Sequence, residues 1–198
     1  MTGSKRTIQS LATREKIRNA VLGMMQTRTL EEISVGEICK VAGVGIGTFY
    51  HHYKSKDDLA LEAYAEMDTH FLLLASDPEA KEMTAYQYII RHFICYARFL
   101  TGQKVEFSKK VYAMQNKQIV DRKRPIYTTL KNKLLEEKAS GRIARSLNVE
   151  GLCDYINLAL RAVAYDWCLR DGEYDLIHAS ITYAQNILTA YQEALGVQ

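Results

Sequence analysis

The stretch Ser34-Val35-Gly36-Glu37-Ile38-Cys39-Lys40-Val41-Ala42-Gly43-Val44-Gly45-Ile46-Gly47-Thr48-Phe49-Tyr50-His51-His52-Tyr53-Lys54-Ser55-Lys56-Asp57-Asp58-Leu59 decides the fold. Ser34 followed three residues later by Glu37 is a capping box, in which each side chain satisfies a backbone N–H of the other residue. It opens a helix that turns Ile38, Val41 and Ala42 inward. Gly43 stands where a left-handed residue ends a helix, and the chain resumes at once through Ile46 to Tyr53. Two short helices joined by so brief a glycine turn form a helix-turn-helix. Ser55, with Asp57 and Asp58 in the first turn behind it, starts the next helix, and those acids suit the positive end of its dipole.

Outward from this stretch the pattern stays helical. Thr13 reads as an N-cap for a helix that buries Ile17, Val21, Leu22 and Met25 and ends near Thr27. The helix opened by Ser55 runs through Leu59, Ala63 and Met67 to about Leu74, where Asp77-Pro78 stops it. Further helices are expected over about 84–100, 104–117 and 121–139, the last with Pro125 in its first turn and Gly141 as its stop. From Asn148, the residues Leu152, Tyr155, Ile156, Ala159, Leu160, Val163, Ala164 and Trp167 recur at three- and four-residue steps. Asp171-Gly172 breaks that segment, and Asp175 to about Leu195 repeats it. The fold class is all-α: a three-helix helix-turn-helix domain over 1–54, then a helical effector-binding and dimerisation domain over 55–198.

Composition narrows the function. The chain has 198 residues, 47% hydrophobic and 25% charged, with 11 Gly and 2 Pro, so it can bury a core and is not a low-complexity chain. No apolar run approaches the roughly 20 residues of a membrane span, and no hydrophobic segment follows the N-terminus, so a cytoplasmic location is expected. The four cysteines lie far apart, without zinc spacing, and read as reduced packing residues; no metal site is expected. Residues 1–56 hold nine Lys/Arg against four Asp/Glu, a net of +5, and the remaining 17 bases and 19 acids net −2. An anionic partner for the N-terminal segment follows, although a solvated face gives the same count. No phosphate loop, zinc-protease or serine-hydrolase motif is present, so no enzyme and no cofactor is expected.

The quoted stretch resembles the N-terminal signature of the tetracycline-repressor (TetR) family, over roughly residues 13–64: the Ala-Gly-Val turn, the Gly-Thr-Phe-Tyr-His-His-Tyr run and the Ser-Lys-acid cap stand together at the family's spacing. The resemblance implies a ligand-responsive repressor that binds double-stranded DNA at a palindromic operator as a homodimer paired through its last two helices, and that is released by a small molecule. Those helices read alternatively as the centre of a monomer core, and a protein partner in place of the small ligand is the competing mode of control. By analogy, Thr48 and Tyr50 are groove or phosphate contacts, His51 is a phosphate or base-edge contact, and Lys56 is a phosphate contact at a helix start. Gly45 and Gly47 let the backbone approach a phosphate closely. Ser34 is a backbone contact or simply the N-cap. Phe49 and Tyr53 pack inward against Ile38 and Val41. Gly45 and Ile46 replace the family's frequent Ser and Lys, and Lys5 and Arg6 are an additional DNA-contacting arm or a solvated tail. Candidates for an effector pocket are Tyr86, Phe93, Tyr96, Phe99, Tyr112, Tyr127 and Trp167, side chains that line pockets and helical cores alike.

Overall fold

The computed structural model describes residues 5–25 and 27–196, and among these every regular element is helical. The helices are α1 (Lys5–Met24), α2 (Val35–Ala42), α3 (Ile46–His52), α4 (Lys56–Ala65), α5 (Met67–Ser76), α6 (Pro78–Glu82), α7 (Ala85–Thr101), α8 (Val105–Ala113), α9 (Pro125–Ala139), α10 (Val149–Leu169) and α11 (Leu176–Tyr191), with a 3-10 turn at Lys117–Val120. The chain divides into two compact units, one ending at Ala65 but including Glu106–Met114, the other made of Glu66–Val105 and the chain from Gln115 onward.

In the first unit α1 packs on α2 and α4, and α2 on α3. Ile17, Val21, Met25, Leu30, Ile33, Ile38, Phe49, Tyr53 and Leu59 form its core. Helix α1 starts eight residues before the expected Thr13 cap. Thr13 sits mid-helix because its hydroxyl donates to the Gln9 carbonyl at 2.9 Å, which satisfies it inside the helix it was expected to open. Helix α1 takes in Lys5 and Arg6, whose side chains lie outside the described residues.

The expected single helix from Ser55 to Leu74 is two helices. Glu66 keeps helical dihedrals (φ −60°, ψ −24°), but the Thr69 N–H donates back to the Glu66 carbonyl at 3.0 Å, the tighter three-residue closure that separates α4 from α5. The stop at Asp77-Pro78 also begins something: the Asp77 carboxylate accepts from the Glu79 N–H at 3.0 Å and Pro78 occupies the first position of the short α6.

In the second unit α7 is central, packed against α11, α5, α9 and α10. Its start is a second capping box, Thr84 with Gln87. Asn148 and Asp175 cap α10 and α11 with their side chains, and Gly141 and Gly172 take positive φ (76° and 77°) where the preceding helices end. The four cysteines are free thiols, three of them buried. No helix of the described residues is long and apolar enough to cross a membrane.

Candidate nucleic-acid interface

Helix α2 is held at both ends by its own sequence. The Ser34 hydroxyl accepts from the Glu37 N–H at 3.2 Å, while the Glu37 carboxylate accepts from the Ser34 N–H at 2.8 Å. Arg28 donates to the same carboxylate at 2.7 Å, and these bonds, led by the guanidinium, lower the Glu37 pKa to about 2. At the other end Gly43 adopts φ 67°, and the Val44 N–H donates to the Cys39 carbonyl at 3.0 Å. Only glycine takes that φ without strain, which is why the turn can be this short.

Helix α3 follows at once. Gly45 is its N-cap with no side-chain bond, its carbonyl accepting from the Thr48 and Phe49 N–H groups at 2.9 and 3.2 Å. Phe49 is fully buried and Tyr53 nearly so. The Tyr53 hydroxyl donates to the Arg14 carbonyl at 3.3 Å, and burial pushes its pKa up to about 12. These two rings fix which face of α3 is turned out: Ile46, Gly47, Tyr50 and His51 are exposed and Thr48 is half-buried. Val41, expected to pack under them, is instead 61% exposed, and Cys39 takes the inward place beside Ile38. In eight residues of helix the apolar face is set by which residues neighbouring helices reach, and the hydrophobicity of Val41 alone does not decide it.

Charge around this face is partly neutralised within the unit. Arg14 pairs with Glu62 through its Nε at 2.8 Å and lies over the Tyr53 ring, and Lys110 of α8 pairs with Glu31 and Asp57 at 2.7 and 3.1 Å. Lys40 and Lys54 are exposed and form no ion pair among the described residues. Lys56 donates to the carbonyls of Leu30, Ile33 and Glu31 at 2.7, 2.7 and 3.4 Å. Its ammonium therefore staples the loop before α2 to the start of α4, a role that sequence alone does not reveal. Ser34 acts as the cap, and the arrangement brings Ile46, Gly47, Tyr50 and His51 onto the outward face of α3, while Val41 of α2, expected inward, is also exposed.

The pocket candidates are dispersed. Phe93, Tyr96, Phe99, Tyr127 and Trp167 are core side chains of the second unit, Trp167 donating from Nε1 to the Tyr174 carbonyl at 3.1 Å. Tyr86 is half-buried in the same unit, and Tyr112 belongs to the first. Two clefts of about 160 and 250 Å³ in the second unit are lined by other residues, the first by Tyr88, Thr129 and Lys133 among them, the second by His70, Arg91 and Arg98.

Residues 17–63 match the family described as bacterial regulatory proteins, tetR family. The fold is similar to the transcriptional regulator FadR of Bacillus subtilis, solved in complex with stearoyl-CoA (19% identity, 93% of this chain and 99% of that one, TM-score 0.62). It is also similar to Salmonella enterica GusR (20%, 92% and 95%, 0.61) and to the dihydroxyacetone kinase operon activator DhaS (19%, 90% and 95%, 0.60). No curated protein sequence matches the chain.

Proposed function

We propose that this chain, whose residues 17–63 match the TetR family of bacterial regulatory proteins, is a DNA-binding transcriptional repressor that a small molecule releases from its operator. The observation that carries this reading is the outward face of α3. Buried Phe49 and Tyr53 lock the helix, while Gly47, Tyr50 and His51 are presented to solvent in a unit with a positive sequence balance. A short helix held in this way enters the major groove. Thr48, Tyr50 and His51 are its polar contacts. Gly45 and Gly47 allow close backbone approach, Lys56 and the start of α4 face a phosphate, and the Ser34 hydroxyl lies at the edge of the contact. The exposed Val41 and Ile46 suit the apolar C5-methyl of thymine.

Homodimerisation is supported by α10. Tyr155, Leu158, Ala162, Tyr165 and Leu169 are all exposed, and they recur at steps of three, four, three and four, the seam of a helix packed against another helix. With α11 this seam makes a four-helix bundle between two copies. Two reading heads then require an operator with two-fold related half-sites about one helical turn apart or a multiple of it.

The effector reading draws support from the FadR complex, in which this architecture is found with stearoyl-CoA. Control of the reading heads need not run through α4 alone, because the chain returns to the first unit at Glu106–Met114. The testing experiment is footprinting on genomic fragments selected by the full-length protein. Paired, two-fold related protections support the reading; a single unrepeated half-site, or no selection above random DNA, overturns it. Operator complexes that resist every metabolite but dissociate with a stoichiometric protein would transfer control to a protein partner.

A further inference from the structure

Two polar pairs with the same spacing frame one cleft of the second unit: His70 with Asp77 at the α5 side, and Arg91 with Arg98 on α7. Seven residues are two helical turns, so Arg91 and Arg98 share a face of α7 and stand about 10 Å apart along its axis. The His70 ring, near the start of α5, meets the Phe99 ring near the end of α7 edge-on at 5.6 Å. Ala75, near the end of α5, lines a second cleft together with Tyr88 near the start of α7. The two helices are therefore antiparallel, which sets Arg98 at the His70 end of the cleft and Arg91 at the Asp77 end. Leu73, Leu74, Ile94 and Cys95 complete the lining, and Leu73 is 62% exposed.

The charge in this cleft is unbalanced. Arg122, Arg124, Arg142 and Arg170 of the same unit each hold a carboxylate. The side chains of Arg91, half-buried, and Arg98, exposed, form no ion pair or hydrogen bond among the described residues. Two guanidinium groups face one carboxylate, that of Asp77, and Asp77 already accepts from the Glu79 N–H at 3.0 Å. Burial pushes the pKa of the Cys95 thiol, in the wall of the cleft, up to about 11, and the charges that act on it are Arg91 and Arg98, both pulling against that rise. The field there is positive. At the Arg91 end Asp77 repels an anion, whereas at the Arg98 end no acid lines the cleft and His70 brings an imidazole, which always carries at least one N–H. A guanidinium fork matches a carboxylate, and the leucine and isoleucine side chains between the two ends suit an apolar body. The cleft holds about 250 Å³, and since a cavity of about 150 Å³ accommodates benzene, a ring and its carboxylate fit.

We infer that the α5–α7 cleft is a binding site for a small organic carboxylate, its charged group held by Arg98 and His70 and its apolar body lying on Leu73 and Ile94. This rests on the proposed ligand-responsive function and names the chemical class that the second unit takes.

The test uses the full-length protein with benzoate as the probe, benzyl alcohol as its uncharged counterpart and acetate as the anion without a body. By titration calorimetry benzoate should bind at one site per chain, more tightly than either counterpart, and should shift the His70 ring resonances. Arg98→Gln should weaken benzoate binding about tenfold, the effect of one charge-assisted hydrogen bond lost, and Arg91→Gln should weaken it less. Lys123→Gln removes the same charge from an exposed residue outside the lining and should leave binding unchanged. Because neither arginine side chain has a partner in the protein, both variants should melt with wild type, which separates lost binding from lost folding. Failure of benzoate to bind at millimolar concentration, equal binding of benzyl alcohol or acetate, or equal losses in Arg98→Gln and Lys123→Gln overturns the site. Binding is read on the free protein, so it stands or falls without an operator. Benzoate that binds at Arg98 but leaves the operator complex intact in a mobility-shift assay upholds this site and overturns release by this ligand.

Discussion

At the residue scale, the outward surface of α3 separates groups that fold the unit from groups available to DNA. A methyl group added at Gly47 meets nothing within 4 Å, so the free protein has no steric need for glycine there. Gly47→Ala should stabilise the uncomplexed protein by about 0.5–1 kcal/mol, the ordinary gain in a helix interior, yet weaken operator binding because the methyl stands between backbone and phosphate. Thermal melting paired with operator titration checks both, and unchanged operator affinity would remove Gly47 from the interface. Lys56 belongs to both categories. Lys56→Ala should cost about 1–3 kcal/mol of stability by leaving carbonyls unbonded, and should reduce the salt dependence of operator binding by about one unit of slope. A lowered melting point with an unaltered slope would leave Lys56 a loop staple only.

At the element scale, local chemistry explains which parts of the fold were legible. The capping box at Ser34, the left-handed Gly43, Pro125 and Asp171-Gly172 carry their consequences within a few residues, so α2, its turn, the stop of α9 and the break between α10 and α11 read correctly. The helix expected over 104–117 instead ends at Ala113, a 3-10 turn follows at Lys117–Val120, α9 starts at Pro125 rather than Asp121, and α11 ends at Tyr191 rather than near Leu195. The separation of α4 from α5 at Glu66 has no such marker, because Ala65-Glu66-Met67 contains neither glycine nor proline. Thr13 misled because a threonine that caps a helix and one that bonds back inside it look alike in sequence. Val41 misled because exposure depends on neighbouring helices, and the membership of α8 in the first unit is wholly tertiary, written in pairs such as Lys110 with Glu31 and Asp57. The outward residues of α3 lie in one short contiguous run, so sequence could single them out as candidates; the unpartnered ring of His92 on α7 was not legible, since nothing local marks a histidine as buried. The seam on α10 yields a prediction at this scale. Leu158→Glu places a charge at an exposed position, so the monomer should fold, but in a dimer the carboxylate would be buried without a partner. Sedimentation should show wild-type dimers and variant monomers, with operator binding lost alongside. A variant that remains dimeric would move the interface off α10.

At the scale of the whole molecule, stability should depend on pH through His92. Burial alone, with no charged neighbour contributing, lowers its pKa to about 3, whereas an exposed histidine in the unfolded chain titrates near 6.5. Between those values the unfolded chain takes up a proton that the folded chain does not, so stability is full above about pH 6.5 and falls as the solution is acidified, by about 1.4 kcal/mol per pH unit well inside that window. Glu37 acts in the same direction but lower: its folded pKa of about 2 lies below the ordinary value of 4.5, so its contribution is lost only as pH falls below the latter. The interval from about pH 6 to 5 therefore separates the two. Wild type should lose stability across it in urea titrations, and His92→Phe should lose markedly less, because the variant has no proton to take up there. Equal slopes for both proteins would mean that His92 is protonated or hydrated in the folded state, and would remove burial of a neutral imidazole as the source of the acid sensitivity.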